Sequence, residues 1–113
     1  MKKYELRINF SEKLKDEISN NNILFSLLKP KYDYYVFSID DEETQEKHGV
    51  FEEIYSVYRK AEYLFNINVI KDCDISFWLL FEYENQRNIE FSFDEVLILS
   101  KMRCTVCISC WEK

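Results

Sequence analysis

Ile75-Ser-Phe-Trp-Leu-Leu-Phe-Glu-Tyr83 is the stretch whose reading decides the fold. Ile75, Phe77, Leu79, Phe81 and Tyr83 alternate with Ser76, Trp78, Leu80 and Glu82. A period of two marks a β-strand whose two faces meet different surroundings. Asn85-Gln-Arg-Asn88 has turn character, so Ile89 to Phe91 is expected to return as a short strand and complete a hairpin. Ser92 and Glu95 are spaced as a capping box and predict a helix running to about Met102. Cys104 to Trp111 alternates again and reads as a closing strand.

Upstream, Tyr4, Leu6, Ile8 and Phe10 alternate with Lys3, Glu5, Arg7 and Asn9, which predicts a first strand with one buried face. Ser11 stands where an N-cap belongs, and Leu14 and Ile18 share a helical face until Asn20, Asn21 and Asn22 end the segment. Ile23 to Leu28 is an apolar turn or short helix stopped by Pro30. Tyr32 to Ile39 is rich in aromatic and β-branched residues and predicts a strand, with Tyr35, Phe37 and Ile39 on one face and Tyr34 and Val36 on the other. From Val50 to Phe65 the spacing becomes helical: Ile54, Tyr58, Ala61 and Phe65 form a stripe, flanked by Phe51, Val57 and Leu64. The expected order is β-α-β-α-β-β-α-β, an α+β two-layer sandwich in which short helices lie on one face of a mostly antiparallel sheet. One domain over residues 1–113 accounts for the length.

The composition excludes several functions. Of 113 residues, nine are Phe, eight Tyr and two Trp, and 47 % are hydrophobic, enough for a packed core. A single glycine excludes glycine-rich phosphate loops, and a single histidine excludes paired-His metal sites. The N-terminal alternation carries Glu5 and Arg7 where an export signal needs an unbroken apolar stretch. The uncharged apolar run from Ile75 to Phe81 is far short of the ~20 residues that span a bilayer. A cytoplasmic location is therefore expected. Fifteen Lys and Arg against 21 Asp and Glu give a net charge of −6, which disfavours nucleic acid and anionic membranes and matches a basic protein partner.

Four groups of residues invite a functional reading. Cys104, Cys107 and Cys110, with Cys73 distant, have a spacing seen in metal and iron–sulfur ligation. On a strand, however, Cys107 points away from Cys104 and Cys110, so free thiols packed as small hydrophobes are expected, with no metal and no cofactor. His48 lies in a polar connection with no locally paired nucleophile, so no catalytic residue is assigned. Asp40, Asp41, Glu42, Glu43 and Glu46 lack the calcium-loop pattern, and their best functional use is steering a protein partner, continued by Glu52 and Glu53 at the helix start. Tyr34, Trp78 and Trp111 fall opposite the main apolar series: either helices cover both faces or the rings snorkel at the edge, or they form a partly exposed patch in which Tyr and Trp beside acidic groups are typical interface anchors.

With these residues laid out, Asp74-Ile-Ser-Phe-Trp-Leu-Leu-Phe-Glu-Tyr-Glu84, the segment Ile89-Glu-Phe-Ser-Phe-Asp-Glu-Val-Leu97 and Cys104-Thr-Val-Cys-Ile-Ser-Cys110 resemble a small bacterial domain family of unknown function. Its pattern is a hairpin, a Phe-Ser-x-Glu-x-Leu-like phrase, a short helix and a final strand. Such domains are similar to immunity proteins of polymorphic or contact-dependent toxin systems. The resemblance implies a non-enzymatic inhibitor of one cognate toxin, such as a basic nuclease, with Asp40 to Glu53 facing the toxin and Tyr34 or Trp78 as anchors. The alternatives are a phage-encoded inhibitor of a bacterial defence nuclease, a small cysteine-based metal or redox protein, and a homo-oligomeric subunit burying the same aromatics.

Overall fold

In the computed structural model, which describes residues 2–40, 49–83 and 89–112, alternation becomes strand: β1 (Lys2–Asn9), the two-residue β2 (Lys29–Pro30), β3 (Tyr34–Asp40), β4 (Ile75–Tyr83) and β5 (Thr105–Glu112). They form one sheet in the order β2-β3-β1-β4-β5. β1 lies antiparallel to both β3 and β4, and β5 runs parallel to β4. Helices α1 (Glu12–Ser19), α2 (Asn22–Leu27), α3 (Val50–Ala61), α4 (Tyr63–Asn66) and α5 (Phe93–Ser100) complete the α+β fold. A short 3₁₀ turn at Asp72–Asp74 leads into β4. None of the described helices is long and apolar enough to cross a membrane.

The helix ends obey local chemistry. Ser11 Oγ accepts the Leu14 amide at 3.1 Å, and Asn21 Oδ1 accepts from both Ile23 and Leu24, so the asparagine run that stops α1 also starts α2. Ser92 and Glu95 form the expected reciprocal capping box. Gly49 precedes α3 with φ of 80°, a left-handed backbone that an L side chain would strain. At the other end of α3, Glu62 separates it from α4, yet one apolar stripe continues through both helices. Ile54, Tyr58, Ala61 and Leu64 are sealed from solvent, with Phe51, Val57 and Phe65 nearly so.

That stripe packs on a single face of the sheet. Tyr4, Leu6 and Ile8 of β1, Tyr35 and Ile39 of β3, and Ile75, Phe77 and Leu79 of β4 join Leu14, Ile18 and Leu24 in one core. Phe51 meets Phe77 at 5.3 Å and Tyr4 at 5.7 Å between ring centroids. Tyr58 reaches through this layer so that its hydroxyl accepts the Arg103 amide at 3.0 Å, anchoring the segment that enters β5.

Two expectations are corrected. Ile89 to Phe91 is not a strand, and no hairpin forms with β4. β4 has no edge to offer: β1 occupies one side and β5 the other. Ile89 and Phe91 turn inward instead, with Phe91 edge-on to Phe51 at 6.0 Å. The closing strand then lies beside β4 by a crossover through α5, because parallel neighbours cannot be joined by a tight turn. The second correction is β2, where the sequence predicts only a stop at Pro30 after the apolar cluster Ile23 to Leu28. Lys29 and Pro30 pair with Val36 and Tyr35 and form the far edge of the sheet.

Candidate functional site

The side chains that alternate away from the core make the second face of the sheet, and none of them belongs to the helix-packed cluster. The pairing register places them in rows. Glu5 lies between Ser38 and Trp78, Arg7 between Val36 and Ser76, Lys3 between Asp40 and Leu80, and Asn9 opposite Tyr34. In the parallel pairing, Cys107 stands beside Trp78 and Trp111 beside Glu82.

At the centre is a layered cluster. The Arg7 guanidinium carbon sits 4.7 Å from the centroid of the Tyr34 ring and 4.2 Å from that of Trp78, so a cation lies between two aromatic faces. Arg7 Nε donates to Glu5 Oε1 at 2.7 Å, and its terminal nitrogen lies 2.6 Å from the same oxygen. Ser38 Oγ donates to the other carboxylate oxygen at 3.0 Å, and Trp78 Nε1 donates to Ser76 Oγ at 2.9 Å. Glu5 is the buried charged residue of the described chain, 6 % exposed, and here its charge is paired and hydrogen-bonded. Each group therefore holds the next in a fixed rotamer. The outcome is a cluster of two partly exposed rings around a guanidinium, carried on strands rather than on loops.

The residues selected from the sequence divide between two sides. Tyr34, Trp78 and Asp40 share the open face, Asp40 at the end of β3 opposite Lys3. Glu52 and Glu53 are exposed in the first turn of α3, in the helix layer behind the sheet, so they do not join the aromatic platform. Asp41, Glu42, Glu43, Glu46 and His48 lie outside the described residues. Arg7 and Glu5, which organise the platform, were not singled out by the sequence reading. The signal was present: opposite charges two apart on one strand share a face, here the face that also carries Tyr34 and Trp78.

The cysteines are free thiols. Cys104, just before β5, packs against the core, whereas Cys107 lies on the open face and Cys73 is exposed in the 3₁₀ turn. Among the described residues no group of three His, Cys, Asp or Glu side chains could hold a metal ion. Burial pushes the Cys104 thiol up to about 11, opposed by a backbone hydrogen bond from Phe77. The folded value lies above the ordinary 9.0, so the stabilising effect is complete below pH 9 and is lost as pH rises towards 11. Alkylation of the native protein with iodoacetamide at about pH 8, read by peptide mass spectrometry, should therefore modify Cys73 at least about tenfold faster than Cys104. Equal rates at the two sites would show that Cys104 is not shielded.

The fold and the platform together define an α+β protein with an open five-stranded sheet, helices on one face and a preorganised aromatic–cation cluster on the other. No family model matches the sequence, and neither a curated protein nor a solved structure matches it.

Proposed function

We propose that this chain is an immunity protein, which neutralises a cognate bacterial toxin by binding it through the open face of the sheet. The observation that carries the reading is the Tyr34–Arg7–Trp78 stack, two partly exposed rings held with the Glu5 ion pair on the sheet face turned away from the helix-packed core. Binding energy concentrates in aromatic and arginine anchors of this kind, and rigidity lowers the entropy lost on docking. The charge balance of −6 supports a basic target, because complementary charge accelerates encounter. Asp40 lies at the end of the same face, where β3 leads into the acidic connection. Inhibition by occlusion needs no catalytic group, and none is assigned.

The test is capture from the native host with the tagged protein as bait. A single basic protein should be recovered, toxic when expressed alone and harmless when co-expressed with this chain. Tyr34→Ala and Trp78→Ala should each weaken that complex by about 30-fold or more, the scale of an interface anchor. Reversing Asp40, Asp41, Glu42 and Glu43 to Lys should slow association and flatten its dependence on salt. Recovery of no other protein, or full affinity in both aromatic variants, would sink the reading.

A further inference from the structure

The two edges of the sheet are built differently. At the β2 edge the strand is two residues long and consists of Lys29 and Pro30, followed by Lys31: brevity, charge and a missing N–H donor all discourage a further strand. The β5 edge is protected by neither brevity nor proline. It is eight residues long, is paired among the described residues on its β4 side alone, and carries no charge before its last residue, Glu112. Val106 and Ile108 on its helix side are 43 % and 47 % exposed, and Val96 and Leu97 of α5 add further exposed apolar surface in the same layer.

We infer that β5 is the interface between two copies of this chain, joined antiparallel about a two-fold axis at Cys107. Cys104-Thr-Val-Cys107-Ile-Ser-Cys110 is a near palindrome. Antiparallel pairing about its centre sets Cys107 against Cys107, Val106 against Ile108, Thr105 against Ser109 and Cys104 against Cys110. Every side chain thus meets one of its own size and polarity, the self-complementarity that an isologous interface requires. The β-branched pair Val106–Ile108 occurs twice across the axis, on the face where both residues are exposed. Charge selects the same surface. Net charge −6 opposes self-association in general, whereas the stretch from Cys104 to Cys110 is uncharged, so two copies can be placed there with no like charges opposed. The dyad stands normal to the sheet, so both helix layers lie on one side and both Tyr34–Arg7–Trp78 platforms on the other.

The experiment uses the full chain under reducing conditions. Sedimentation or light scattering should return twice the chain mass of 13.8 kDa. A short bismaleimide, which adds to one thiol from each chain, should yield a Cys107–Cys107 cross-linked peptide. That species forms only between two molecules, since each chain has one Cys107. Ile108→Lys, at a half-exposed position, should weaken the dimer at least about a hundredfold while far-UV circular dichroism stays native, because it brings two positive charges beside the dyad. A wild-type monomer at every concentration overturns the proposal, as does a dimer whose cross-links avoid Cys107 or one that persists in natively folded Ile108→Lys. If that variant does not fold, the cross-link map of the wild-type chain decides alone.

Discussion

Phe77→Ala should remove about 4 kcal/mol of folding free energy, the loss associated with truncating a sealed phenylalanine. Phe77 has no solvent exposure, lies on β4 between β1 and β5, and packs its ring against Phe51 at 5.3 Å and Tyr4 at 6.4 Å. The cavity would open where the sheet meets α3, and neither rigid neighbour can close over it. Small domains are stable by only about 5–15 kcal/mol, so this variant should sit near the threshold of unfolding. The control is one residue away. Trp78 is larger but faces the open side and is only partly covered, so Trp78→Ala should cost less than half as much. Chemical denaturation of the two variants measures the difference. Equal losses would mean that both faces of the sheet are packed and that the open platform does not exist.

The second large effect is expected at the ion pair beneath the platform. Glu5→Ala should cost about 3 kcal/mol, because it leaves the Arg7 guanidinium largely covered with no counter-charge. The side chains of Glu5 and Arg7 are only 8 % and 19 % exposed, so water cannot fully replace the carboxylate. Ser38 loses its acceptor in the same variant. Replacing both partners, as Glu5→Leu with Arg7→Met, should cost much less than the single change, since no charge is then stranded. The cycle of single and double variants in urea gives the coupling directly. A loss below about 1 kcal/mol for Glu5→Ala is the surface-pair value, and it would place Arg7 in solvent rather than in a locked stack.

Features whose hydrogen bonds close within a few residues were legible before folding. The Ser11 and Ser92 caps, the stripe through Phe51, Ile54, Tyr58 and Leu64, and the separation of Trp78 from Phe77 all follow from a spacing of three, four or two along the chain. The hairpin at Ile89 to Phe91 failed because strand propensity says nothing about whether a neighbour has a free edge. Both edges of β4 are taken, and apolar residues that find no edge are buried as side chains instead. β2 was illegible for the converse reason: Lys29 and Pro30 have poor strand propensity, and the partner strand β3 alone makes them extended. For the candidate site, Tyr34 and Trp78 could be assigned to one face by parity, while their common contact with Arg7 could not.

The amino-acid order by itself determined the α+β class, the helix caps, the buried stripe and the side of each strand on which a residue lies. These depend on periodicity and on bonds between near neighbours in the chain. Only the tertiary structure decided that β5 runs parallel beside β4 as a bare edge, that Glu52 and Glu53 stand on the opposite layer from Trp78, and that Arg7 is clasped between Tyr34 and Trp78. The pairings and contacts among them join residues 27 or more positions apart, and pairing over such distances is settled by competition for sheet edges and burial across the whole chain, which no local spacing encodes.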